Sequence, residues 1–111
     1  MKFSIVIPTY NEERDIAGTL DGLLAIDYPA VEIIVVDDST DMTPAIVRRY
    51  EARGVRLIHP PKREGRCGAR NLGIQEASGD VVVILNADVR PRPDFFRRLV
   101  PYYEQGYDYV L

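Results

Sequence analysis

Three short polar blocks in this chain each follow an apolar run rich in β-branched residues: Pro8-Thr9-Tyr10-Asn11-Glu12, Asp37-Asp38-Ser39 and Asn86-Ala87-Asp88. Gathered into one mouth, the carboxylates of Asp37, Asp38 and Asp88 would repel each other unless a cation or a set of hydrogen-bond donors lay between them. A hard divalent cation, shared between carboxylate and phosphate oxygens, meets that need. The concentrated basic segment, Lys62, Arg63, Arg66 and Arg70, comes just before the third block. Arginine forks and a helix N-terminus both suit a phosphate group. Acidic groups, basic groups and Tyr10 around one crevice point to a phosphorylated, nucleotide-like ligand.

The elements that must carry these blocks can be read from periodicity. Phe3 to Ile7 predicts a buried strand stopped by Pro8, with Asn11 as N-cap and Glu12 and Glu13 in the first turn of a helix over about 12–25. Ile16, Leu20, Leu23 and Leu24 give that helix its apolar stripe. Val31 to Val36 predicts the second strand, and Pro44 opens a second helix carrying Ile46, Val47 and Tyr50, with Gly54 as its stop. Val55 to His59 predicts a third strand, and 67–77 a helix of small residues ended by Ser78-Gly79. Val81 to Leu85, the most apolar stretch, predicts a central strand. Phe95, Phe96, Leu99, Val100 and Tyr103 mark a fourth helix that Pro101 would shorten or kink, and Tyr107 to Leu111 looks like the start of another strand.

Strands alternating with helices imply right-handed βαβ units, hence an α/β class with a parallel, doubly wound sheet in a single domain over 1–111. Ligands of such sheets bind beyond the carboxyl ends of the strands, where strand order reverses. With strand one beside strand four and strand two on its other flank, all three polar blocks line one crevice.

Composition narrows the function classes. The 111 residues carry 14 basic and 17 acidic side chains, a net charge of −3, which argues against bulk binding to nucleic acid or anionic lipid. No apolar run approaches the ~20 residues needed to span a bilayer, and 1–20 lack the layout of a secretory signal. The single cysteine, Cys67, excludes an internal disulfide, fits a reducing compartment and reads as a small buried hydrophobe. A cytoplasmic location follows as the expectation, with membrane association only through segments outside this chain.

Five blocks in register carry a resemblance: Ser4 to Glu12, Ile34 to Asp41, Gly68-Ala69-Arg70-Asn71-Leu72-Gly73-Ile74, Ala77-Ser78-Gly79-Asp80 and Leu85-Asn86-Ala87-Asp88. Over residues 3 to 110 the chain resembles the nucleotide-binding half of the family 2 glycosyltransferases, which have the GT-A fold. That likeness implies a glycosyltransferase that binds a nucleoside-diphosphate sugar, a UDP- or GDP-sugar, with Mg²⁺ or Mn²⁺, and inverts the anomeric centre on transfer to an acceptor. It implies that Pro8, Thr9, Tyr10 and Glu12 pack around the base, that Asp38, beside Asp37, accepts a hydrogen bond from it, and that Arg70 lies near base and diphosphate. In the Asp-x-Asp motif the first position holds the ribose and the last, Asp88, binds the metal.

Two departures stand out. The first position of that motif is Asn86, an amide that still hydrogen-bonds ribose hydroxyls but adds no charge. The general base of the family belongs to an acceptor-binding half that would follow Leu111, so a non-catalytic nucleotide-binding module is the alternative expectation. An edge left open there leaves homo-oligomerisation open. Plainer readings also exist: Asp37-Asp38 as turn caps, Glu12 explained by a helix dipole, Arg70 paired with Glu76 or Asp80, Tyr10 as a sheet-edge cover, and His59 as a structural strand end. Arg90, Arg92, Arg97 and Arg98 suit either a solvated face or an acceptor or membrane contact. A phosphoacceptor receiver domain is excluded because its acidic pair follows strand one, and a dinucleotide dehydrogenase because no G-x-G-x-x-G follows that strand.

Overall fold

Phe3, Ile5 and Ile7 alternate with Ser4 and Val6, and all five are fully buried, so their strand must be covered on both faces. The computed structural model describes residues 2–26, 28–60, 62 and 65–104. Its order is β1 (Phe3–Thr9), α1 (Ile16–Leu24), β2 (Val31–Asp37), α2 (Thr43–Arg48), a 3₁₀ turn over Glu51–Arg53, β3 (Val55–Ile58), α3 (Gly65–Glu76), β4 (Val81–Ile84) and α4 (Phe95–Glu104). The strands form one parallel sheet in the order β3-β2-β1-β4. The expected neighbours of strand one are the observed ones.

The two faces of the sheet hold separate cores. Phe3, Ile5, Ile7, Ile33 and Val35 meet Ile16, Leu20 and Leu23 of α1, Val47 of α2 and Phe96 of α4. On the other face Val6, Ile34 and Val36 meet Ala69 of α3. Each fully buried large side chain contributes roughly 1.5–3 kcal/mol, so the sheet is held mainly by these two layers. α3 crosses so close to β1 that a Cβ on Gly73 would sit inside the Val6 side chain. The chain steps outward from β1 to β3 over one face and returns over the other to β4. This reversal puts the topological switch between β1 and β4.

Pro8 does not stop β1, as the sequence suggested; it ends only one of its two ladders. Odd positions of β1 direct their backbone groups at β2, the last bond running from the Asp38 N–H to the Thr9 carbonyl at 3.0 Å. Even positions face β4, where the Leu85 N–H donates to the Val6 carbonyl at 3.0 Å. The next bond on that side would need an N–H that proline lacks. β4 therefore parts from β1 there, and the crevice opens.

Several expected boundaries shift. α1 begins at Ile16, with Asp15 at its N-cap and no acidic residue in its first turn, so Asn11 is not a cap and Glu12 and Glu13 precede the helix. Asn11 instead adopts a left-handed backbone, φ 53°, which asparagine tolerates better than most residues. Its Oδ1 accepts from the backbone N–H of Thr40 (2.8 Å) and of Asp41 (3.3 Å), tying the loop after β1 to the loop after β2. β4 is not central: among the described residues it is the sheet edge, and Val82 is exposed. Gly54 ends the 3₁₀ turn rather than α2, and α4 continues through Pro101 to Glu104. The expected strand at Tyr107–Leu111 lies outside the described residues.

No helix among the described residues is long and apolar enough to cross a membrane.

Candidate functional site

At the carboxyl edge of the sheet, Pro8, Thr9, Tyr10, Glu12, Asp38, Gly65 and Ala69 line a cavity of about 200 Å³. β1 supplies Pro8 and Thr9, the loops after β1 and β2 supply Tyr10, Glu12 and Asp38, and the first turns of α3 supply Gly65 and Ala69. Tyr10 is 47% exposed, so its ring stands at the mouth rather than in the core.

The acidic pair divides its work by the alternation of the strand. Asp37, the last residue of β2, is fully buried, and its carboxylate is enclosed by donors. Oδ1 accepts from the Thr9 hydroxyl and the Ser39 hydroxyl, both at 2.6 Å, and Oδ2 from the Ser39 N–H at 3.2 Å. His59 Nδ1 lies 3.1 Å from the same Oδ2. Asp37 thus does not line the crevice, contrary to the expectation of three carboxylates in one mouth; it braces the floor beneath it. Ser39 extends the brace by accepting the Asn11 N–H at 2.7 Å.

Asp38 points the other way, into the cavity. Its backbone N–H is held by Thr9, and its Oδ2 accepts the N–H of Gly65 at 3.1 Å. Gly65 has φ 71°, a backbone that an L side chain would strain, and this turn directs its N–H at the carboxylate. Oδ1 has no partner among the described residues.

The third polar block sits beyond β4 on the same edge. Ala87 is buried, and its carbonyl accepts the hydroxyl of Thr19 from α1, which pins the turn and leaves Asn86 and Asp88 exposed on either side. The carboxylate of Asp88 has no partner among the described residues. It does not line the cavity at Asp38 but belongs to the adjacent loop across the β1–β4 gap. Arg70, on α3, is not among the residues that line the cavity; its Nε is buried without a hydrogen-bond partner. It pairs with neither Glu76 nor Asp80; Glu76 is taken by Arg56 at 2.7 Å, and Asp80 accepts the N–H of Lys2 at 2.8 Å. Lys62 is exposed, whereas Arg63 and the side chain of Arg66 lie outside the described residues.

Among the described residues, no three His, Cys, Asp or Glu side chains converge into a ready-made metal cage. The donor set still fits Mg²⁺ or Mn²⁺, because such ions keep several waters and bind through one or two carboxylates plus substrate phosphates. In such a site Asp88 would provide the carboxylate and Asn86 a neutral oxygen, both being exposed.

Sequence reasoning missed Gly65 and Ala69 as lining residues, Thr19 as the anchor of the third block, and the contact of His59 with Asp37. A glycine opening a small-residue helix was the available signal for Gly65. Cys67, expected to be buried, is exposed on α3. Of the arginines after the third block, Arg90 lies across Gly18 of α1, Arg97 stacks 5.9 Å over the Tyr28 ring, and Arg98 stands 3.9 Å from Asp94.

A parallel α/β sheet with its polar loops at one switch point is the frame on which open α/β proteins bind their ligands, and comparison with known proteins gives the family. The model of glycosyl transferase family 2 matches residues 4–111, and the chain belongs to that family. It is 39% identical over 98 residues to the succinoglycan biosynthesis protein ExoO of Rhizobium meliloti, covering 87% of this chain and 28% of that protein. The S. aureus TarS 1–349 structure in complex with UDP-GlcNAc is 30% identical with a TM-score of 0.86, covering 95% of this chain and 32% of that one. The mannosyltransferase PcManGT from Pyrobaculum calidifontis, in complex with GDP-Man and Mn²⁺, is 36% identical with a TM-score of 0.82, covering 89% and 31%. The chain therefore spans about a third or less of the length of these relatives.

Proposed function

We propose that this chain holds the nucleoside-diphosphate sugar and the divalent metal of an inverting glycosyltransferase. The observation that carries the reading is the cavity at the switch point, with Asp38 on one flank of β1 and the loop of Asp88 on the other. The base enters against Pro8, Thr9, Glu12 and the face of Tyr10, where Asp38 accepts its N–H. Asn86 hydrogen-bonds the ribose hydroxyls, and Arg70 turns its buried Nε to the diphosphate. Asp88 holds Mg²⁺ or Mn²⁺, which when bound neutralises the charge that develops on the leaving diphosphate.

These residues fix the donor so that its anomeric carbon faces the open side of the crevice, where an acceptor hydroxyl attacks in one displacement. The general base that takes the hydroxyl proton comes from outside these residues. Support for a nucleotide sugar comes from the complexes of the relatives, one with UDP-GlcNAc and one with GDP-Man and Mn²⁺. The net charge of −3 opposes a nucleic acid partner. A cytoplasmic site of action completes the proposal.

Calorimetric titration with UDP and GDP, with and without Mn²⁺, tests it. Asp88→Ala is expected to abolish the gain from metal, and Asp38→Ala to weaken the nucleotide about tenfold while that gain persists. Nucleotide binding that ignores Mn²⁺ would contradict the metal role, and no binding at all would contradict the site.

A further inference from the structure

Resting on the donor-site reading above, we propose that His59 is a positioning residue of the nucleotide cavity. It acts by clamping, together with Gly65, the connection from β3 to α3 onto the adjacent carboxylates of Asp37 and Asp38. The two ends of that connection meet the same dipeptide. At its entry His59 Nδ1 lies 3.1 Å from Asp37 Oδ2, and at its exit the Gly65 N–H donates to Asp38 Oδ2 at 3.1 Å. Asp37 is fully buried and Asp38 lines the cavity, so one end is pinned beneath the floor and the other at the wall.

Both oxygens of Asp37 already accept from Thr9 and Ser39, so Nδ1 meets the carboxylate as a donor, in the neutral or the charged ring alike. A carboxylate shut off from water holds its donors firmly. Pro60, next in the chain, restricts His59 to extended backbone, so the connection leaves β3 in a fixed direction. The other walls of the cavity have ties of their own. The Thr9 carbonyl accepts the N–H of Asp38, Asn11 accepts those of Thr40 and Asp41, and the Glu12 N–H donates to the Thr43 hydroxyl at 2.9 Å. These bonds join the loops after β1 and β2. The first turn of α3 meets them through the Gly65 N–H, and His59 sets where the chain departs for that turn. A displacement of about 1 Å there alters the fit of a ligand, because Gly65 and Ala69 form that side of the cavity.

Calorimetry with UDP and Mn²⁺ on variants of His59 tests the clamp. Asparagine places an amide N–H close to where Nδ1 stands, whereas glutamine carries it one bond further, towards the place of Nε2. His59→Leu and His59→Gln are expected to weaken UDP about tenfold, what a hydrogen bond to a charged group contributes, and His59→Asn to stay within about twofold of the unaltered protein. A ring that served stability only would lower the melting temperature and leave UDP affinity of the folded variants unchanged, which would overturn the proposal. So would His59→Asn binding no better than His59→Leu. The Gly65 amide gives a second readout that needs no nucleotide. Its NMR signal should move in His59→Leu and His59→Gln and hold its place in His59→Asn; a signal unmoved in all three contradicts the clamp. If His59→Leu fails to fold by circular dichroism, the polar His59→Gln makes the comparison. Failure of UDP and GDP to bind the unaltered protein would overturn the donor-site reading, and the Gly65 signal then decides the clamp separately.

Discussion

Asp37 and Asp38 are adjacent in the chain and opposite in function, because successive side chains of a strand face opposite ways. Asp37→Ala removes the acceptor of Thr9, Ser39 and His59 from a buried site and is expected to destabilise the protein by about 3 kcal/mol in urea unfolding. Asp38→Ala should shift the same midpoint by less than about 1 kcal/mol. A second carboxylate, Glu32, works at the other end of the sheet. Burial alone would raise its pKa. Hydrogen bonds from the Ser4 hydroxyl (2.6 Å) and the N–H and hydroxyl of Ser78, with the Lys2 ammonium nearby, outweigh that and hold it below its ordinary 4.5. A depressed folded pKa contributes stability that is present above pH 4.5 and is lost as pH falls through the lowered value. Glu32→Gln should therefore flatten the acid limb of the stability profile and leave its slope above neutrality unchanged. At this scale the placing of Asp38 and Asp88 just after strands was legible because they follow apolar runs, whereas the separation of Asp88 from the cavity at Asp38 was not. Asn11 was misassigned because one residue type serves both helix caps and left-handed turns.

At the scale of elements, helices locate the polar loops. Thr19 of α1 holds the carbonyl of Ala87, so Thr19→Val should loosen the turn that carries Asp88. Metal-free nucleotide affinity should stay as it is, while the gain from Mn²⁺ falls about tenfold; an undiminished gain would count against the anchoring role. α3 brings Gly65 and Ala69 to the crevice because Gly73 lets it approach β1. Gly73→Ala is expected to lower the urea midpoint by an amount equivalent to roughly 1–3 kcal/mol, with the m-value unchanged. The sequence announced α3 through its small residues but not which of them would meet the cavity, since that depends on how the helix crosses two strands. Pro8 was equally visible and read as a stop. Only the pairing partners on its two sides reveal that it ends the ladder to β4 and spares the one to β2.

In the whole molecule, the reversal of strand order sets the loops after β1, β2 and β4 along one edge, where residues of the first two loops share a cavity with the start of α3. The order of elements was enough to foresee the common edge, because right-handed crossovers leave few alternatives. The edge position of β4 was not, since an apolar strand reads alike whether its neighbour lies before or after it in the chain. The central claim is that Asp38 and Asp88 grip opposite ends of one ligand across the β1–β4 gap. A crystal structure of the protein with UDP and Mn²⁺, phased to locate manganese by its anomalous signal, tests this most directly. The account predicts a manganese peak about 2.1 Å from the Asp88 carboxylate, shared with diphosphate oxygens, and the base within hydrogen-bond reach of Asp38 Oδ1. A manganese ion remote from Asp88, or a base seated away from Asp38, would contradict it.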